Sequence, residues 1–190
     1  LNFVKENFSA TFEEKKSKFI AYLFPISKFD DVMKSLKEGH PKARHHVYAY
    51  RYLNEFDQIV ENSSDDGEPK GTSGKPSLNV LSGHELINTA VIIVRYFGGV
   101  KLGTGGLVRA YSDAVNKVID AATLFEYEKL SEKQINCEYS ELSKIEYDLQ
   151  QLDIQVKNKT FTQNVMLQLE ATKEKFEKLK KNLPRHISLQ

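Results

Sequence analysis

Thr89-Ala-Val-Ile-Ile-Val-Arg-Tyr-Phe97, followed at once by Gly98-Gly-Val-Lys-Leu-Gly-Thr-Gly-Gly106, decides the fold of the larger part of this chain. The first segment is almost continuously apolar and rich in β-branched residues, the pattern of a central strand covered on both faces. The second is too rich in glycine to continue a strand. Leu107, Val108, Tyr111, Ala114, Val115, Val118, Ile119 and Ala122 then recur at helical spacing, so a helix to about Ala122 is expected. In a strand, glycine turn and helix, backbone amides at the helix amino end can hold an anion. The common nucleotide fingerprints are missing. Gly103-Thr-Gly-Gly106 has no third glycine at the dinucleotide spacing, and no Gly-Lys-Ser/Thr occurs. Three readings therefore stay open: a hinge that lets the helix pack on the sheet, a contact with a polyanion such as RNA, and a nucleotide site. The candidate residues are Arg95, Gly98, Gly99, Lys101, Gly103, Thr104, Gly105, Gly106 and Arg109.

Upstream of this block, Phe8 to Glu14 and Lys18 to Ile26 read as a hairpin. Ser27-Lys-Phe-Asp30 is expected to cap a helix with Phe29, Val32, Met33 and Leu36 on its apolar stripe, stopped at Gly39-His-Pro41. His45 to Leu53 alternates as a strand, with Gln58 to Glu61 as its partner. Residues 62–76 are dense in turn formers and read as a loop, followed by a short helix from Pro76 to about Leu81. Downstream, Ile135-x-Cys137-x-Tyr139 reads as a strand and Leu142, Ile145, Leu149 and Leu152 as a helix. Ile154-Val156 and Val165-Leu169 follow as strands, then a helix capped by Thr172 and stopped by Pro184. Ile187-Leu189 closes with a strand. This βαββαβ order is ferredoxin-like. The expected domains are 1–127 and 128–190, joined by a linker from Phe125 to Lys133, in an α+β chain.

The 190 residues carry 27 Lys and Arg against 26 Asp and Glu, a net charge of +1 that excludes a globally basic nucleic-acid binder. Charge is instead segregated locally. Arg95, Lys101 and Arg109 lie in a stretch without an acid, and Asp65, Asp66 and Glu68 form the opposite. A single cysteine, Cys137, excludes a disulfide framework, and it reads as core. No apolar run is long enough to span a bilayer, and Leu1 to Lys5 carry no signal-peptide core. A trimmed amino terminus, a cytoplasmic setting and no membrane partner are expected.

Asp65-Asp-Gly-Glu-Pro69 could bind a hard cation through its carboxylates, or form a turn or helix cap. His45 and His46 point to opposite faces of their strand and cannot share one metal; either could act as a general base or be structural. Tyr48, Tyr50 and Tyr52 share a face, as a base-stacking platform or as half-buried core. The Lys173–Lys181 helix, interspersed with Glu174 and Glu177, reads as a solvated face.

Four blocks carry a family resemblance: Ala43-Arg-His-His-Val-Tyr-Ala-Tyr50, Ser64-Asp-Asp-Gly-Glu-Pro69, Gly71-Thr-Ser-Gly-Lys-Pro76 and Val94 to Tyr111. In order and spacing they resemble the YigZ/IMPACT family over residues 1–125, and the remainder is similar to the small second domain of bacterial members. The resemblance implies a first domain like domain IV of elongation factor G, of the ribosomal-protein βαβ type. It implies a second like the ferredoxin-like domain V. Eukaryotic IMPACT is a translational regulator, which acts with an additional amino-terminal domain.

The expectation is a translation-associated binding protein. It would contact RNA, the ribosome or a translation-associated protein through the basic glycine loop, with His45 and Tyr48 assisting. No sequence-specific DNA contact is expected. The alternative is a small metal- or phosphate-dependent enzyme, with Asp65, Asp66 or Glu68 holding a cation. No nucleophile–base pair can be named, so no catalytic residue, resident metal or cofactor is assigned. A structural role is also open, with Asp66 paired to Arg95 or Arg109.

Overall fold

A computed structural model describes residues 1–190 as two compact units, Leu1–Tyr127 and Glu128–Gln190. The chain is α+β, and all pairings between its strands are antiparallel.

The first unit runs β1 (Asn2–Phe3), β2 (Phe8–Glu14), β3 (Ser17–Pro25), α1 (Phe29–Gly39), β4 (His45–Leu53), β5 (Ile59–Ser64), α2 (Gly74–Gly83), β6 (Thr89–Tyr96), α3 (Gly103–Asp120) and β7 (Phe125–Glu126). Five strands form one sheet in the order β2-β3-β6-β4-β5, so β6 is central and buried from Thr89 to Arg95. Its continuous apolar run has a simple cause: both faces are covered. Val91 and Ile93 join Phe19, Val47 and Ala49 beneath α2 and α3. Ala90, Ile92 and Val94 join Phe24 and Leu36 beneath α1.

Several boundaries differ from expectation. Ser27 does not cap α1: a 3-10 turn, Ile26–Lys28, intervenes after Pro25, and neither end receives a side-chain cap. Asp30 and Asp31 in the first turn meet the positive helix end instead. The expected loop at 62–76 shrinks, because β5 runs to Ser64 and α2 starts at Gly74. The two-residue strands β1 and β7 pair with each other. Tyr127 N donates to Leu1 O (2.7 Å), and Phe3 meets the rings of Phe125 and Tyr127 at 6.0 and 6.3 Å.

Gly98 has a structural reason to be glycine. It lies against the β2–β3 turn, where Lys15 and Lys16 adopt left-handed φ of 47° and 64°. A Cβ on Gly98 would stand 2.0 Å from the Lys16 carbonyl carbon, and its N–H donates to Ser17 Oγ at 3.1 Å.

The second unit runs β8 (Leu130–Cys137), α4 (Tyr139–Gln151), β9 (Gln155–Phe161), β10 (Val165–Thr172) and α5 (Lys173–Asn182), with sheet order β8-β10-β9. Ile135, Cys137, Ile145, Leu149, Val165, Leu167, Leu169, Phe176 and Leu179 form its core. Thr172 Oγ1 accepts from Lys175 N at 3.3 Å and caps α5. The expected closing strand is reduced to one bridge, Ile135 with Leu189. Pro184 has no N–H to donate, and Ile187 N turns back to Pro184 O at 3.0 Å, so few residues remain for a ladder. Most of the expected linker is also ordered strand, because Leu130 to Lys133 pair with Thr172 to Leu169.

Gly98→Ala is expected to destabilise the chain by about 1–3 kcal/mol, since backbone must move to admit the methyl. Gly105→Ala, with open space at Cβ and no left-handed φ, is expected to be neutral or stabilising by up to ~1 kcal/mol. Urea denaturation of the two variants measures the contrast.

Candidate anion-binding site

The site is assembled by the loop between β5 and α2. Asp65 organises that loop. Its Oδ1 accepts from Ser73 N (3.2 Å), Ser73 Oγ (2.8 Å) and Gly74 N (2.8 Å), and its Oδ2 accepts from Gly71 N (2.8 Å). The carboxylate thus closes the loop and caps the amino end of α2. Partial burial pushes the Asp65 carboxyl up, but the bonds from Gly71, Gly74 and Ser73 outweigh it and hold it below the usual range.

Asp66 and Gly67 make the turn, with φ of 42° and 84°. Asp66 Oδ2 accepts from His46 N at 2.6 Å, and its carbonyl accepts from His45 Nδ1 at 2.8 Å. A carbonyl only accepts, so Nδ1 of His45 carries the proton.

This turn sends Glu68 inward, where its side chain is 4% exposed. Glu68 Oε1 accepts from Arg95 Nη1 (2.5 Å) and from Tyr111 OH (2.8 Å), and stands 3.9 Å from His45 Nε2. Arg95 on β6 is flanked in register by Phe19 and His45. Its guanidinium lies over the rings of Phe19 and Phe97, at 5.4 and 5.8 Å. Burial, and then the charge of Glu68, push the Tyr111 hydroxyl far up, so it stays a donor.

Above this junction lies a cavity of about 440 Å³. Arg44, His45, Glu68, Arg95 and Lys101 supply its polar wall, and Pro69, Phe97, Leu102 and Leu107 its apolar wall. Gly103 and Thr104 bring the amino end of α3 to it. Leu102 is the residue before that helix, and no side chain caps it. Its first-turn amides and the positive helix end are therefore available to an anion.

The structure gathers His45, Glu68, Arg95, Lys101, Gly103 and Thr104 around one cavity. Other expected site residues do not join it. Tyr48 is on the opposite sheet face, edge-on to Phe29 at 5.1 Å and stacked with Tyr50 at 6.0 Å, as core beneath α1. Arg109 lines a separate 210 Å³ cavity with Glu14, Lys15 and Asp113. Asp65 and Asp66 are engaged by backbone amides and Glu68 by Arg95 and Tyr111, so the three carboxylates do not converge on a cation. The internal ion pair of Arg95 is with Glu68, not Asp66. Gly98 packs on the hairpin, Gly99 provides a φ of 89°, and a Cβ on Gly106 would stand 3.1 Å from Leu102 Cβ. Gly105 has no such packing or left-handed reason to be glycine.

Arg44, Phe97 and Tyr111 are site residues that sequence patterning does not mark. Tyr111 fits the core stripe of α3, and only its hydroxyl shows the second role. Phe97 ends the apolar run that begins in β6, just before the glycines, and only its 56% exposure sets it apart from the strand core.

This fold and site define a two-domain class. Residues 15–119 match the Impact N-terminal domain, and residues 135–184 match a domain of unknown function, DUF1949. The chain is 37% identical over 167 residues to an IMPACT family member of Haemophilus influenzae, covering 84% of this chain and 80% of that protein. It is 38% identical over 160 residues to the IMPACT family member YigZ of Escherichia coli, covering 83% and 78%. A crystal structure described as that of a hypothetical protein aligns with a TM-score of 0.69 at 33% identity, over 99% of this chain and 95% of that one. The chain belongs to the IMPACT family. No helix is long and apolar enough to cross a membrane.

Glu68→Ala is expected to cost about 3–5 kcal/mol, because it leaves Arg95 buried without its carboxylate. Asp65 gives a pH signature. Its folded pKa is depressed, so its contribution is complete above the unfolded carboxylate range, near pH 4. It is lost as pH falls through the lower folded value. Melting temperature against pH is expected to show a shallower acid limb in Asp65→Ala than in the wild type.

Proposed function

We propose that this chain is a translation-associated binding protein that takes a phosphate of ribosomal RNA at the cavity before α3. One observation carries the reading: the uncapped amino end of α3 opens onto a cavity with Arg44, Arg95 and Lys101 in its wall. Amides and fixed cations together suit a phosphate better than either alone. Membership of the IMPACT family supports the translation setting, through the resemblance to the eukaryotic regulator. The same reading takes Leu1–Tyr127 as a counterpart of domain IV of elongation factor G. It takes Glu128–Gln190 as a ferredoxin-like counterpart of domain V in a cytoplasmic protein. The β8-α4-β9-β10-α5 order, with Leu189 bridging to the outer side of β8, supports the second comparison.

The test is co-sedimentation with ribosomes across a salt series. Wild-type binding is expected to fall steeply with salt. Arg44→Ala/Lys101→Ala is expected to bind more weakly and to reduce the salt slope by about 1, for the one phosphate that the two side chains share. Arg109→Ala, in the separate cavity, is expected to match the wild type. Absence of co-sedimentation at low salt, or binding indifferent to salt, overturns the reading.

A further inference from the structure

The cavity before α3 is more than a patch of positive charge. Three of its polar side chains have unmet hydrogen-bonding capacity. Glu68 Oε1 receives both internal bonds, from Arg95 and Tyr111, so Oε2 is an acceptor left over on a side chain that is 4% exposed. Arg95, with a side chain 8% exposed, has its Nε buried and without a partner. His45 donates through Nδ1 to the Asp66 carbonyl, which leaves Nε2 as an acceptor. Of the three, only Arg95 Nε is an enclosed atom that carries a desolvation cost; Glu68 Oε2 and His45 Nε2 are free to accept from a ligand.

The opposite wall has a different chemistry. Phe97, with Arg95 over its ring at 5.8 Å, is still 56% exposed, and it stands beside Leu102 and Leu107 on the same cavity as the uncapped α3 amides. A simple oxyanion would use the amides and cations and leave both the ring and the leftover acceptors unused. A ligand that uses all of them carries an anion, a flat apolar ring and N–H donors on that ring.

We infer that the cavity receives a single nucleotide unit, with its phosphate at the amino end of α3, its base on Phe97 and the base N–H groups directed to Glu68 and His45. The inference rests on the phosphate reading above and narrows it. The unit is one unstacked nucleotide, as a free nucleoside monophosphate or as an unpaired residue of an RNA chain. A base inside a duplex cannot reach this wall.

Calorimetric titration of the full chain tests it with guanosine 5′-monophosphate, ribose 5-phosphate and inorganic phosphate as probes. A short single-stranded oligoribonucleotide and its duplex distinguish the two sources. The nucleotide is expected to bind about tenfold more tightly than ribose 5-phosphate, and Phe97→Ala to remove that difference while leaving phosphate binding unchanged. Phe97 is exposed, so the variant is expected to fold, and its urea transition verifies this. Glu68→Gln keeps the side-chain shape and removes the carboxylate charge that also neutralises Arg95; with folding verified by its urea transition, it is expected to weaken the nucleotide while binding ribose 5-phosphate at least as tightly as the wild type. Binding of the single strand but not the duplex identifies RNA as the source. Binding of the monophosphate without the single strand identifies the free nucleotide, and then the ribosomal reading fails while the pocket assignment stands. Equal binding of nucleotide, ribose phosphate and phosphate overturns the inference, whether or not ribosomes are bound. No binding by any probe also overturns it, and co-sedimentation then judges the ribosomal reading separately.

Discussion

The buried carboxylate of Glu68 is the constraint on which the first unit depends. A charge withdrawn from water needs partners of fixed geometry, and Arg95 and Tyr111 provide them on the same oxygen. Three parts of the chain meet there: the loop after β5, the central strand β6 and the helix α3. Around that junction the other features acquire a reason. Asp65 closes the loop so that the chain can reverse, Asp66 and Gly67 make the reversal, and Glu68 arrives pointing inward. Arg95 is held between aromatic rings on a strand buried on both faces, so it has little freedom to follow a displaced partner.

Much of this architecture is legible in the sequence because it is periodic. The continuous apolar run of β6 and the helical stripe of α3 leave little choice, and the alternation in β8 and β10 is equally clear. Features that depend on partners are harder to read. The tyrosines of β4 can be read as a stacking platform or as half-buried core, and only the covering of the sheet by α1 makes Tyr48 the second. Spacing alone does not tell which of Asp65, Asp66 and Glu68 faces inward; the left-handed turn at Asp66 and Gly67 decides it. Arg95, Lys101 and Arg109 form one basic run in sequence, yet Arg109 lies about two helical turns beyond Leu102 and opens onto another cavity. The strands β1 and β7 have two residues each, too few to show any period.

The electrostatics follow the same division between global and local. A net charge of +1 gives no general attraction to nucleic acid. The proposed phosphate contact relies instead on helix dipoles and a few cations at one concave place, where loss of one charge is felt more than on a broad basic face. On the opposite face of the sheet, His40 bridges the hydroxyls of Tyr22 and Tyr96, at 3.1 and 2.7 Å, and fastens the end of α1 to β3 and β6. The sheet is thus held on the far side by a histidine–tyrosine bridge and on the near side by a buried ion pair.

The small ribbon of β1 and β7 has a mechanical meaning. Asn2 pairs with Glu126 and Phe3 with Phe125, so the first and last residues of this unit are fastened side by side. Lys5 lies over the Phe125 ring at 4.0 Å and thickens the fastening. Tension applied along the chain beyond Tyr127 therefore meets the ribbon before it meets the five-stranded sheet. Asn2 also donates to Glu85 O and accepts from Ile87 N, so the ribbon clasps both ends of the unit to the segment before β6. The same adjacency of ends lets this unit be spliced into another chain, or permuted, at little topological cost.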